Sequence, residues 1–365
     1  MFEQKLVLED GTIFIGKSFG SERTVIGEIV LNTGMTGYQE IISDPAYCGQ
    51  IVMMNYPLIG SNGINNGEFE SLKPYLYGLI LKGECDRPTA HKGQKNLSQF
   101  LKANNIPGIS GIDTRKLANI IRKRGTMKAM ITRDEESLDM LLERLRGVSL
   151  QSNFVKQTSV IRPYIIAGHG IRIVLVDFGV KNGILREFKN RGCHIIVVPF
   201  EYSAEDILNL NPDGVVYSNG PGNPKELPES ISTLKKILGK IPILGICLGH
   251  QLLALACGAD TKKMKIGHRG SNHVIMDLRT NKTFCTAQNH GYTVIETTIR
   301  DTDLEITQVS LSDKTVEALR HKFHPAFSVQ YLPEGSPGPK DTVYIFDDFL
   351  KMITENQLSS TYSRL

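Results

Sequence analysis

No stretch of this chain approaches the ~20 consecutive apolar residues needed to cross a bilayer, and the opening residues, Met1 to Asp10, lack the apolar core of a secretory signal. A cytoplasmic protein with no membrane partner is expected. Cysteine is sparse and scattered: six residues (Cys48, Cys85, Cys193, Cys247, Cys257, Cys285) without any C-x-x-C spacing. Neither a zinc site nor a disulfide framework is indicated. The nine histidines form no H-E-x-x-H or H-x-H pattern, so no metal is expected. A dense basic block is also missing. Net charge is only +4, and the densest run, Ile121 to Arg124, reads as a solvated helix face, which leaves no footprint for nucleic acid. No P-loop glycine pattern offers a nucleotide-phosphate cradle, and no repeat or low-complexity segment is visible.

What is present is ordinary globular composition, 41% hydrophobic and 22% charged, over 365 residues. That length exceeds one compact domain and favours two. The first half opens on two β-rich runs about Asp10-Gly11, a dipeptide suited to the positive φ angles of a tight hairpin. Asp113 can cap a helix with Leu117, Ile120 and Ile121 on one face and Gly125 as its stop, and a second helix is expected near Glu135 to Arg146. Strands and helices without regular alternation give an α+β N-terminal domain over residues 1–150. Residues 151–170, with Ser, Pro and Gly, read as a linker. From 171 to 360 the texture is different. Ile171–Val176, Ile195–Val198, Gly214–Tyr217 and Ile243–Ile246 are short apolar runs separated by helix-like segments, the pattern of a doubly wound α/β domain whose parallel strands are buried on both faces.

In such sheets ligands lie beyond the carboxyl ends of the strands. Three loops there carry chemistry-bearing residues: Asp177 to Gly179, Ser218 to Pro224, and Gly245 to Gln251. In the last, Gly245-x-Cys247-x-Gly249 has the spacing of a strand-to-helix turn that projects a nucleophile, flanking glycines relieving the crowding. A cysteine at a helix N-terminus is favoured as thiolate. The bland alternative is a buried cysteine before a glycine-rich bend. Ser218-Asn-Gly-Pro-Gly222 alone reads as a turn. Placed beside Cys247, one of its backbone N–H groups could join that of Leu248 in a two-donor oxyanion site.

Together, Pro242 to Gln251, Asn219 to Gly222 and Pro333-Glu334 resemble the class I glutamine amidotransferases, cysteine hydrolases that release ammonia from glutamine. Gly27 to Glu40, Asp44-Pro45 and Tyr56 to Gly60 resemble the N-terminal domain of carbamoyl-phosphate synthetase small subunits, and Lys265 to His273, Gln288 to Gly291 and Ser336 to Pro339 agree with that family. The resemblance covers nearly the whole chain. It implies that Cys247 attacks L-glutamine to give a glutamyl thioester, that Gly222 and Leu248 stabilise the oxyanion, and that Gly220, Gln251, Asn289, Gly291 and Tyr292 line the glutamine pocket. It implies no cofactor in this chain, ATP and Mg belonging to a large-subunit partner that makes carbamoyl phosphate for arginine and pyrimidine synthesis. His250, His268, His273 and His290 read as hydrogen-bonded structural histidines.

The third catalytic segment of that family reads Tyr-His-Pro-Glu, its histidine shuttling the proton and its glutamate, here Glu334, orienting it. This chain has Tyr331-Leu332-Pro333-Glu334. Leucine can neither accept the thiol proton nor protonate the departing amine, and a missing acid–base group removes roughly 10²–10⁴ in rate. His324 is eight residues earlier (332 minus 324), some ~26 Å along a strand. Ala46 also replaces a serine that contacts substrate in the family, a loss of about 0.5–1.5 kcal/mol. Two readings follow: an impaired glutaminase, or a non-catalytic docking and activating subunit of an ammonia-dependent synthetase.

Overall fold

The computed structural model describes residues 3–65, 67–85 and 96–362. Two compact units meet in sequence between Phe154 and Val155. In the first, among the described residues, seven strands close into a barrel: β1 (Glu3–Leu8), β2 (Ile13–Gly20), β3 (Val25–Asn32), β4 (Gln50–Met54), β5 (Gly78–Leu81), β6 (Pro107–Ser110) and β7 (Met127–Thr132). Their spatial order is β1-β2-β6-β5-β4-β3-β7, closed by antiparallel pairing of β7 with β1.

Period-two alternation builds this barrel. Leu6 and Leu8 face a cluster with Ile29, Ile51, Ile80 and Ile109, while Val7 between them packs against Leu141, Leu142 and Leu145. The hairpin forms about Asp10-Gly11: Gly11 takes φ 91°, and Asp10 Oδ1 accepts from Thr12 N at 2.8 Å. Asp113 caps the helix Thr114–Arg124 through Lys116 N at 2.9 Å, and Gly125 ends it at φ 97°. The following helix begins later than its apolar pattern suggested, at Leu138, because Ser137 caps it through Met140 N.

The second unit holds β8 (Tyr164–Ile166), β9 (Arg172–Asp177), β10 (His194–Pro199), β11 (Gly214–Tyr217), β12 (Ile243–Ile246), β13 (Thr261–Asp277), β14 (Thr283–Val294), β15 (Leu304–Ser310), β16 (Val316–His321) and β17 (Ala326–Val329). They form one ten-stranded sheet in the order β14-β13-β15-β16-β17-β12-β11-β9-β10-β8. The four apolar runs are the parallel neighbours β12-β11-β9-β10, and β17 extends them in parallel beside β12. Ile173 and Leu175 of β9 enter one core and Val174 and Val176 the other, so helices must cover both faces.

Part of the stretch read as a linker belongs to this unit. Val155 and Thr158 of a short helix are buried, and β8 pairs antiparallel with β10, its apolar residues completing a sheet edge. Ser and Gly content concealed a three-residue strand too short to show periodicity.

One face of the sheet is sealed by Phe188, fully buried and edge-on to Phe346 at 5.0 Å and to Phe349 at 6.2 Å. Phe188→Ala should cost about 3–5 kcal/mol, read as a lowered denaturant midpoint for the second unit.

Candidate active site

β12 ends between β11 and β17, and its last residue is paired with Val329. The chain then turns at Cys247, whose N–H donates to Val329 O at 2.8 Å and whose φ and ψ are 54° and −99°. A non-glycine residue there carries strain of about 1–3 kcal/mol, sustained only where surroundings fix it. The flanking glycines do part of that fixing. A Cβ at Gly245 would lie 2.5 Å from Gly249 O, and one at Gly249 would lie 2.1 Å from Tyr217 O. Without side chains, the helix Leu248–Ala256 starts directly against β11, and Gly249 N donates to Ser218 O at 3.1 Å. The N–H of Leu248 is the helix's first, which the helix cannot satisfy internally.

The loop after β11 is pressed onto this turn. A Cβ at Gly220 would meet Phe178 O at 2.5 Å and Leu248 Cδ2 at 2.9 Å, and Gly222 has φ 91°. Asn219 ties the loop to its neighbour by donating to Gly179 O at 3.0 Å. From the other side comes β14: Asn289 O lies 3.8 Å from Cys247 Sγ, placed to accept the thiol proton in a weak hydrogen bond. Gln251 Nε2 donates to Tyr292 O at 2.9 Å and to Gln330 Oε1 at 3.0 Å. Gly291 sits beside the Arg269 guanidinium, a Cβ there falling 3.0 Å from Nη2. Cys247, Leu248, Gln251, Asn289, Tyr292 and Gly220 are therefore drawn together through close contacts of side chain or backbone.

Leu332 is 4% exposed and shares a core cluster with Cys247, Ala287 and Val329. Its N–H donates to Ala287 O at 2.9 Å. Hydrocarbon thus stands where the family pattern has imidazole. Glu334 instead forms a buried ion pair, its Oε1 2.6 Å from Lys181 Nζ, with the two side chains 1% and 0% exposed. Lys181 also donates to Ser336 O. Sequence reasoning missed Lys181 and Gln330. Lys181 follows Asp177-Phe-Gly179 at a strand end, but a single lysine there gives no spacing to recognise.

Among the described residues, His250 and His324 do not stand in for an imidazole at position 332. His250 Nδ1 pairs with Ser328 Oγ at 2.9 Å, and its Nε2 has no hydrogen-bond partner among the described residues. Burial pushes its pKa down to about 3, so it is neutral. His324 lies before the start of β17, its ring centroid 4.6 Å from that of His321 and tilted by 32°, whereas Leu332 follows the end of that strand. His268, His290 and Glu317 bring potential ligand atoms within 4.8 Å of one another. Gln288 Oε1 occupies the middle, 2.9 Å from His268 Nδ1 and 3.0 Å from His290 Nε2, which makes this a hydrogen-bonded cluster. Burial lowers the His268 pKa, but hydrogen bonds with Asp313 and Glu317 outweigh it and hold the value at about 9. His273 is lowered to about 4 by burial and by that neighbouring charge. Ala46 lies in the first unit, 7% exposed, its N–H donating to Asp44 Oδ1 at 2.9 Å.

Residues 174–352 match the family model described as glutamine amidotransferase class-I, and residues 6–131 match carbamoyl-phosphate synthase small chain, CPSase domain. The chain is 55% identical over 358 residues to the carbamoyl phosphate synthase small chain of Oceanobacillus iheyensis, covering 98% of each. It is 53% identical over 351 residues to the carbamoyl phosphate synthase pyrimidine-specific small chain of Bacillus subtilis, covering 96% of each. It is 53% identical over 353 residues to the carbamoyl phosphate synthase small chain of Bacillus caldolyticus, covering 97% of each.

Two outcomes test this geometry. Lys181→Met leaves the Glu334 carboxylate buried without its cation and should cost about 3–5 kcal/mol in chemical denaturation; adding Glu334→Gln should recover most of that. For His250 the folded value of about 3 lies below the ordinary 6.5. The unfolded chain therefore binds a proton that the folded chain refuses, and the stability from this group is full above pH 6.5 and lost as pH falls toward 3. The drop in melting temperature from pH 7 to pH 5 should be smaller in His250→Gln than in the parent.

Proposed function

The chain belongs to the carbamoyl phosphate synthase small-chain family and carries a class-I glutamine amidotransferase domain, and from that premise we propose that Cys247 hydrolyses glutamine with its usual proton shuttle missing. The observation that carries this reading is the backbone of Cys247, held at positive φ at the carboxyl end of β12 and the start of a helix. A strained turn of that kind lifts a side chain out of a parallel sheet toward a ligand.

In this reading Cys247 Sγ attacks the glutamine carboxamide carbon. The tetrahedral oxyanion is met by the amides of Leu248 and Gly222, the amine takes back through water the proton that the thiol released and leaves as ammonia, and water cleaves the thioester to glutamate. Gly220, Gln251, Asn289, Gly291 and Tyr292 line the pocket. Both Gln251 amide hydrogens are already engaged, so its Oε1 is the atom left to face substrate. Glu334 stands at the sequence position of the family's orienting carboxylate, but with leucine at 332 it has no imidazole there to orient. Ammonia would pass to a large, ATP- and Mg-using partner subunit that forms carbamoyl phosphate. Among the described residues no helix is long and apolar enough to cross a membrane.

Leu332 gives specific support to a second reading: a docking and activating subunit whose synthetase runs on free ammonia. Cys247→Ser separates the two. Glutamine-dependent carbamoyl phosphate synthesis that survives this change unaltered would exclude the thioester route. Leu332→His measures the impairment itself. Glutamine-driven synthesis by the native complex should rise by about 10²–10⁴ while ammonia-driven synthesis stays the same; no gain over the parent would overturn the impaired-glutaminase reading.

A further inference from the structure

Gln330 is fully buried one residue beyond β17, its backbone N–H donating to Glu317 O at 2.7 Å. Hydrogen-bond logic fixes which way its carboxamide points. Tyr292 O is a main-chain carbonyl and can only accept, so the Gln251 group 2.9 Å from it is the NH₂. That NH₂ can only donate, so the Gln330 atom 3.0 Å away is the oxygen. The Gln330 NH₂ is then left facing Cys247 Sγ, at 3.8 Å. A side chain buried on all sides is thus held by a second glutamine with its donor aimed at the sulfur.

We propose that Gln330 is a catalytic residue, donating an N–H to Cys247 Sγ and stabilising the thiolate, with Gln251 as the positioning residue that turns it. The proposal rests on the reading of Cys247 as the nucleophile. In the thiol form the S–H is directed at Asn289 O, 3.8 Å away, an acceptor with no basicity to take the proton. When the proton leaves to water, that carbonyl loses its donor and the Gln330 N–H is the partner that gains, because hydrogen bonds to an anion are about twice as strong as neutral ones. Leu332 offers the sulfur only hydrocarbon, so a fixed carboxamide dipole takes over part of what an imidazolium would provide, namely stabilisation of the anion. It cannot supply a proton to the leaving amine.

The test is the pH profile of Cys247 alkylation by iodoacetamide in the intact complex, followed at that residue by mass spectrometry. In the parent the midpoint should fall below the ~8.5 of free cysteine; a midpoint above it overturns the proposal. Gln330→Met should raise the midpoint so that alkylation at pH 7 slows by about 10–100-fold, the range for a hydrogen bond to a charged group, with the high-pH plateau unchanged. Gln330→Glu keeps the shape, lacks the donor when ionised and should move the same way, which covers a Met variant that fails to fold. Gln251→Met should give a smaller rise. Profiles of both Gln330 variants superimposed on the parent would overturn the assignment. Cys247→Ser, assayed for glutamine-dependent synthesis, reports separately on the nucleophile. A shifted profile with synthesis unaffected by that change keeps the donor and removes the thioester route; an unshifted profile with synthesis abolished does the reverse.

Discussion

Everything at the candidate site depends on one hydrogen-bonded junction, where the chain leaves β12 between two parallel neighbours. Cys247 N is fixed to Val329 O and Gly249 N to Ser218 O, so the backbone is anchored on either side of the strained residue to different strands. Neither anchor involves a catalytic side chain. The turn can therefore persist independently of the side chains around it, Leu332 among them.

The same junction explains why the flanking glycines are not interchangeable with alanine. Each would place a methyl within 2.1–2.5 Å of a main-chain oxygen that cannot move without dismantling a strand or a helix. Close approach of the helix to the sheet brings Leu248 N, the loop of Gly220 and the β14 carbonyls to one small volume. Polar groups there are satisfied mainly by backbone partners, as with Asn219 and Gly179 O or Gln251 and Tyr292 O, which gives the pocket a rigid wall.

Much of this was legible in the sequence, for identifiable reasons. Four apolar runs separated by helix-like segments read as strands buried on both faces, and Gly-x-Cys-x-Gly encodes the turn because its glycines are sterically required. Two compact units are found, yet the stretch 151–170 read differently from its structure: β8 is three residues long and half exposed, too short for alternation to register. Lys181 and Gln330 were invisible for another reason. Each acts through a partner more than eighty residues away, Glu334 for one and Cys247 for the other, and pairing over such separations is set by sheet order, which local pattern does not carry. Leu332 was visible as a departure, but the sequence did not show that its side chain would join the core instead of leaving a gap.

The Lys181–Glu334 pair has a further meaning for the acid–base character of this site. An imidazole facing a lone buried carboxylate becomes a stronger base, since protonation creates a neutral pair from a bare charge. Here the carboxylate already has its cation, so that incentive is largely spent. A histidine restored at 332 would be oriented by Glu334 while titrating nearer to a free imidazole, and the site would separate geometric guidance from electrostatic activation.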